Sequence, residues 1–263
     1  MIAIFSDSAL PKQLNLLEDI EFNGSFDGFL DEFRTNGTLK SSLGLVTANL
    51  IFDNKELEQV AYQGKLDLEQ FDLAKLVADS SFGKVSATMS LNGKGFDPDE
   101  METKLKASVN LFEYRDYPYQ ATEIDGSISK GNFIGNLFIN DPNLKFDFKG
   151  KASLNSEISQ YDFTAKLDTA NLFALNLSKD SISNISSEMD INFKAKNYDK
   201  WQGKIKVHNT SVRNAVDSYF FEDILVESNS FEDTNKYITV ESTIVDMEVK
   251  GEYTLAKIRD AFA

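Results

Sequence analysis

From Leu144 to Leu154 apolar and polar residues take turns: Leu144, Phe146, Phe148, Ala152 and Leu154 against Lys145, Asp147, Lys149, Lys151 and Ser153. A period of two is that of an extended strand whose side chains point alternately to opposite faces. The pattern constrains the fold more than any other feature, because it recurs along the whole chain. Tyr62 to Leu68, Val85 to Leu91, Leu105 to Leu111, Phe133 to Ile139 and Tyr161 to Leu167 each keep one apolar phase. Ile185 to Phe193, Ile205 to Val207, Ile238 to Ile244 and Met247 to Leu255 continue it. Asn92-Gly93, Asp97-Pro98-Asp99 and Asp141-Pro142-Asn143 read as turns between strands. Helical signals are few and short: Phe71 to Ala78, Leu172 to Ser178 and the last ten residues. The expected fold is all-β and antiparallel, with short connections.

The chain also repeats itself. Lys65-Leu-Asp67 recurs as Lys166-Leu-Asp168, and Phe148-Lys-Gly150 as Val249-Lys-Gly251, both at an offset of 101. Val85, Met89 and Leu91 match Ile185, Met189 and Ile191, and Lys104-Leu-Lys106 matches Lys204-Ile-Lys206, at an offset of 100. Residues 65–154 and 166–255 therefore read as two copies of one β unit. Residues 1–64 read as a β segment continuing from a missing N-terminal part, and 256–263 as a truncated end. Stacked strand units build an extended sheet: roughly 20 strands at about 4.8 Å spacing would span on the order of 100 Å.

Composition narrows the chemistry. The net charge is −15 and the pI near 4.5, which argues against a nucleic-acid partner and against simple docking on anionic headgroups. With no cysteine there is no disulfide framework, thiolate metal site or cysteine nucleophile. No apolar run is long enough to cross a bilayer as a helix, and the opening Met1-Ile-Ala-Ile-Phe5 lacks the basic flank of a signal peptide. The single histidine, His208, has no second imidazole to ligate with and reads as a satisfied strand residue. Asp97, Asp99 and Glu100 lack the glycine and spacing of a calcium loop. Gly93-Lys-Gly95 is too short to cradle phosphate. No catalytic, metal or cofactor-binding constellation stands out, so an enzyme is not expected.

What remains is the apolar face itself, which a single sheet cannot leave wet at roughly 1.5–3 kcal/mol per large side chain. A closed sandwich or solenoid would cover it; so would a sheet folded into a trough that something else fills. Gly64, Gly135, Gly150 and Gly203 lie within strand patterns, where a curved sheet needs bends.

Phe22-Asn-Gly-Ser-Phe-Asp-Gly28, Asn36-Gly-Thr-Leu-Lys40, Gly64-Lys-Leu-Asp-Leu68, Phe82-Gly-Lys-Val85, Asn92-Gly-Lys-Gly95 and Ile139-Asn-Asp-Pro-Asn143 resemble segments of Bacteroidota TamB-like proteins. These are the translocation and assembly module TamB within the AsmA-like group. The resemblance runs from about residue 20 to the C-terminus and rests on ordered short motifs, not on a catalytic signature. It implies a long twisted sheet curled into an open groove, a β-taco, within a periplasmic protein anchored in the inner membrane. It further implies phospholipid acyl chains as cargo between the two membranes, with a TamA-type outer-membrane barrel as partner. The anchor and the barrel contact would lie in regions missing here. The groove lining would comprise Val85, Met89, Leu91, Leu105, Val109, Leu144, Phe146, Phe148, Phe163, Met189, Ile191, Ile205, Val249 and Leu255. The alternatives are a scaffold for outer-membrane protein assembly, binding strands at a sheet edge, and a closed extracellular β-solenoid. For proteins of such an envelope, Asp7-Ser-Ala9, Asp168-Thr-Ala170 and Asp180-Ser-Ile182 match an O-glycan acceptor pattern.

Overall fold

The computed structural model describes residues 18–29, 31–54, 60–97, 99–153, 157–179, 183–231 and 236–254. Strands make up 74% of the described residues and belong to one open antiparallel sheet of sixteen strands. They are β1 (Glu21–Phe29), β2 (Glu32–Ser41), β3 (Gly44–Asp53), β4 (Ala61–Asp72), β5 (Phe82–Lys94), β6 (Glu102–Tyr114), β7 (Tyr117–Tyr119) and β8 (Thr122–Ser129). There follow β9 (Asn132–Asp141), β10 (Leu144–Ser153), β11 (Ser159–Asn171), β12 (Asn184–Asn197), β13 (Lys200–Arg213), β14 (Ser218–Asn229), β15 (Tyr237–Ser242) and β16 (Asp246–Lys250). Their spatial order is their order in the sequence; only β7 leaves the path, pairing with β6 beside β8. The one helix among the described residues, α1 (Leu73–Val77), buries no side chain.

The chain divides into two compact units, Met1–Lys130 with Ile139–Asp141, and Gly131–Phe138 with Pro142–Ala263. In the first, one row of rings crosses β1 to β4. Phe26 stacks on Phe33 and Phe33 on Phe52, each at 4.9 Å, and Phe96 joins Phe52 at 6.4 Å and Tyr62 at 5.2 Å. Such cross-strand aromatic pairs fix register. Leu43, at the β2–β3 turn, is 2% exposed, and its carbonyl accepts from the Asp72 amide at 2.6 Å. In the same unit the buried Asp141 accepts from the Tyr117 hydroxyl at 2.5 Å and from the Gln120 amide at 3.0 Å. Burial, and next the Asp141 carboxylate, push the neighbouring Tyr119 hydroxyl above its ordinary pKa.

In the second unit rings again meet across strands. Phe148 packs on Phe133 at 6.1 Å and on Phe163 at 4.8 Å, and Phe193 lies between Tyr161 at 4.8 Å and Trp201 at 5.7 Å.

The pairing registers repeat. Across β5 and β6, Met89 faces Ala107, Leu91 faces Leu105 and Asn92 faces Lys104. Across β12 and β13, Met189 faces Val207, Ile191 faces Ile205 and Asn192 faces Lys204, the same pairs displaced by 100 residues. The register slips between Ser86 and Ala87 in the first pair of strands and between Ser186 and Glu188 in the second. One hairpin earlier it slips between Leu68 and Phe71 and between Leu167 and Ala170. A β-bulge adds a residue to one strand and bends it, so bends as well as pairs recur.

Three local expectations are corrected. Asn92-Gly93 is not a turn: Gly93 sits inside β5 opposite Thr103, and the chain reverses afterwards, where Asp97 accepts from the amides of Glu100 and Met101. Leu172 to Ser178 forms a run of turns rather than a helix, although Leu175 at its centre is 1% exposed. Ile244 is not in a strand but in the turn after β15, and is 70% exposed. The last nine residues lie outside the described ones.

Candidate functional site

Alternation within a strand becomes a surface only when registers place like residues side by side, and here they do. In the first unit Ala48, Leu66, Met89, Ala107 and Ile124 form one cross-strand row. Leu50, Gly64, Leu91, Leu105 and Gly126 form the next, and Val109 continues the row of Leu68 and Ala87. In the second unit one row runs Phe148, Ala165, Met189, Val207 and Ile224. A second runs Gly150, Phe163, Ile191, Ile205, Val226, Val240 and Met247. A third runs Tyr161, Phe193, Gly203, Ser228, Ile238 and Val249. Leu144 faces Ala170 and Phe146 faces Leu167 on the same side.

Each of the expected lining residues within the described chain thus lies on the apolar face of its own unit; Leu255 lies outside the described residues. Of these, Val85 and Ile191 are buried, at 9% and 8% exposure. Met89, Leu91, Leu105, Val109, Leu144, Phe146, Phe148, Phe163, Met189, Ile205 and Val249 are only half-buried. Side chains of one sheet shield each other laterally, but a second layer is needed to bury them fully. Among the described residues there is no second sheet and no helical layer to do it.

Glycines on this face sit opposite large residues. Gly150 faces Phe163, and Gly203 faces Phe193. Gly64 stands opposite Leu50. The φ values are 144°, 140° and 154°, a region open to glycine alone. A Cβ on Gly150 would meet the Phe163 Cβ at 2.6 Å, and one on Gly203 the Phe193 Cβ at 2.7 Å. Only a residue without a side chain fits at these positions beside the facing strand.

No protein-family model, curated protein or solved structure matches the chain.

The opposite face carries the charges. Lys94 and Glu102 pair at 3.4 Å, Lys106 and Asp125 at 3.5 Å and Lys166 and Asp168 at 2.9 Å, all exposed, while Lys204 meets Glu227. Pairs of this kind contribute little to stability and keep the face hydrated. His208 is the satisfied strand residue expected of it: Nε2 lies 3.1 Å from Asp190 and Nδ1 2.5 Å from Asp223, one carboxylate on each flanking strand. The polar face is not uniform, since Ile134 and Phe138 of β9 lie exposed on it at 52% and 44%. No group of three or more metal-ligating side chains converges among the described residues, and no helix there is long and apolar enough to cross a membrane. Of the three acceptor motifs, those at Asp7 and Asp180 fall outside the described residues, while Thr169 is half-buried beside the β11 bulge.

Sequence reasoning missed one feature of the apolar face. A hollow of about 560 Å³ opens in the second unit, lined by Tyr161, Phe193, Trp201, Ile205, Val226 and Ile238 among others. The lone tryptophan was its one available signal.

Proposed function

We propose that the chain is part of a bridge-like lipid carrier of the bacterial periplasm, whose sheet curls into an open groove and holds phospholipid acyl chains against its apolar face. One observation carries this reading: a continuous apolar face in each unit, half-buried, with no covering layer among the described residues. Contiguous uncovered apolar surface on a folded protein marks a place where something else binds. Acyl chains match it because they are apolar along their length and need no directional partner. The charged opposite face keeps such a carrier in water while its cargo slides, and no catalysis is required. The resemblance to TamB-like proteins agrees with this and supplies the inner membrane and a TamA-type barrel as partners of other regions of such a protein.

The test is extraction. Protein purified without detergent should release phospholipid into organic solvent, detected by mass spectrometry. Phe146→Asp places a carboxylate on the apolar face, where an unpaired charge costs several kcal/mol and draws in water. Asp147→Arg, one residue along, changes only the hydrated face. Lipid recovery should fall severalfold with Phe146→Asp and stay unchanged with Asp147→Arg, at equal folded content by circular dichroism. Absence of lipid from the parent protein, or equal loss in both variants, would reject the reading.

A further inference from the structure

Phe138, one of the two exposed apolar residues on the charged face, stands at a second concavity. A trench of about 720 Å³ crosses the strands of the second unit there, with Asn136 and Phe138 of β9 lining one end. Its walls are two cross-strand rows fixed by the registers. Asp147, Lys166, Glu188 and His208 form one, on β10 to β13. Lys149, Thr164 and Asp190 form the other. Between them the backbone of Phe148, Ala165 and Met189 makes the floor, their side chains belonging to the apolar face. The wall residues are exposed, apart from the half-buried His208.

Charges of opposite sign alternate along these walls: Asp147, Lys166 and Glu188 in the first, Lys149 and Asp190 across Thr164 in the second. A phosphate chain or a polycation would meet its own sign at every second strand, and such contacts repel. A sugar hydroxyl both donates and accepts hydrogen bonds, so vicinal hydroxyls are served by an ammonium and a carboxylate side by side. Phe138, 44% exposed on a face otherwise polar at this place, supplies an apolar contact. The face of its ring is negative at the centre and takes the C–H side of a pyranose.

Spacing adds a third reason. Strands stand about 4.8 Å apart, close to the length of one sugar in an extended β-1,4-linked chain. Successive sugars lying in the trench would therefore meet successive strands. An α-1,4-linked chain coils and falls out of step.

We propose that this trench binds a linear, uncharged β-1,4-linked oligosaccharide, one sugar to a strand, with Phe138 stacking on one ring and Asp147, Lys149, Glu188 and Asp190 bonding the hydroxyls. The site goes beyond the lipid-carrier reading and does not depend on it, because acyl chains and sugars would take opposite faces of the sheet.

The whole chain is titrated calorimetrically with cellohexaose, N-acetylated chitohexaose, maltohexaose and a β-1,4-linked hexaglucuronate. At least one of the two neutral β-1,4 hexamers should bind roughly fivefold or more tighter than maltohexaose and the hexaglucuronate. Preference for chitohexaose would name an amino-sugar chain and preference for cellohexaose a plain one; either supports the site. Phe138→Ala should weaken the tighter hexamer roughly fivefold or more, while Phe138→Tyr, which keeps the ring, should retain it. Asp147→Ala combined with Lys149→Ala, which leaves the net charge unchanged, should weaken it at least as much. Phe220→Ala removes a ring that is 63% exposed outside the trench and should change nothing. Folded content of each variant is checked by circular dichroism. No binding of either neutral hexamer, equal binding of maltohexaose, tightest binding of the hexaglucuronate, or the same affinity in Phe138→Ala as in Phe220→Ala would overturn the proposal.

Discussion

Gly203 shows how much of the apolar face depends on side chains that are not there. With φ at 140° and Phe193 opposite, an added methyl both strains the backbone and strikes the Phe193 Cβ. Gly203→Ala should therefore cost about 1–3 kcal/mol, whereas Gln202→Ala, exposed on the other face, should stay within about 0.5 kcal/mol. Urea unfolding followed by Trp201 fluorescence measures both, and equal midpoints for the two variants would contradict the account. At this scale the sequence was a good guide to faces: from Leu144 to Phe148 each side chain lies where a period of two puts it, the apolar ones half-buried and the charged ones exposed. Glycines within strands were legible as places of bending. Their partners were not, because Gly203 and Phe193 meet only once the register of β12 on β13 is set. The hollow stayed hidden for the same reason, since Tyr161, Phe193 and Trp201 belong to three different strands.

Between β4 and β5, and again between β11 and β12, the chain turns by the same device. Asp72 accepts from the Lys75 amide at 3.1 Å and caps α1; Asn171 accepts from the Ala174 amide at 3.1 Å and opens the run of turns that buries Leu175. Asp72→Ala should cost about 1 kcal/mol, as loss of an N-cap does. Amide exchange at Lys75 should accelerate while β8 keeps its protection; unchanged exchange at Lys75 would show that the cap carries no weight. The sequence marked both segments as helical, correctly for Leu73–Val77 and wrongly for the second, where a capping side chain and apolar residues stop short of a regular turn of helix. It read Asn92-Gly93 as a reversal because that dipeptide favours one in isolation, yet pairing of Asn92 with Lys104 carries the strand through. β14 went unread because Tyr219, Phe220 and Phe221 stand in succession and break the alternation, leaving Phe220 63% exposed. Strands that pair without a clean period are visible only through their neighbours.

For the whole molecule, charge balances the exposed apolar surface. A net charge of −15 keeps copies apart at neutral pH. As pH falls toward the pI near 4.5 that repulsion fades, and apolar faces that no layer among the described residues covers should associate. Light scattering should rise steeply on approach to that pH in lipid-free protein and less in protein saturated with an acyl ligand. A flat profile in the lipid-free protein would mean that the apolar faces are covered.

The sheet's spatial order is also its order along the chain. Each main strand therefore loses its partners one at a time, starting from whichever edge is loaded. Tension applied through the ends would peel hairpins in turn instead of shearing many hydrogen bonds together, and each released strand would lengthen the chain by a few nanometres at about 3.3–3.6 Å per residue. Such a sheet is mechanically soft but repairable: an edge strand pulled free refolds against a neighbour that has kept its place, so strain is met by small reversible losses at the margin.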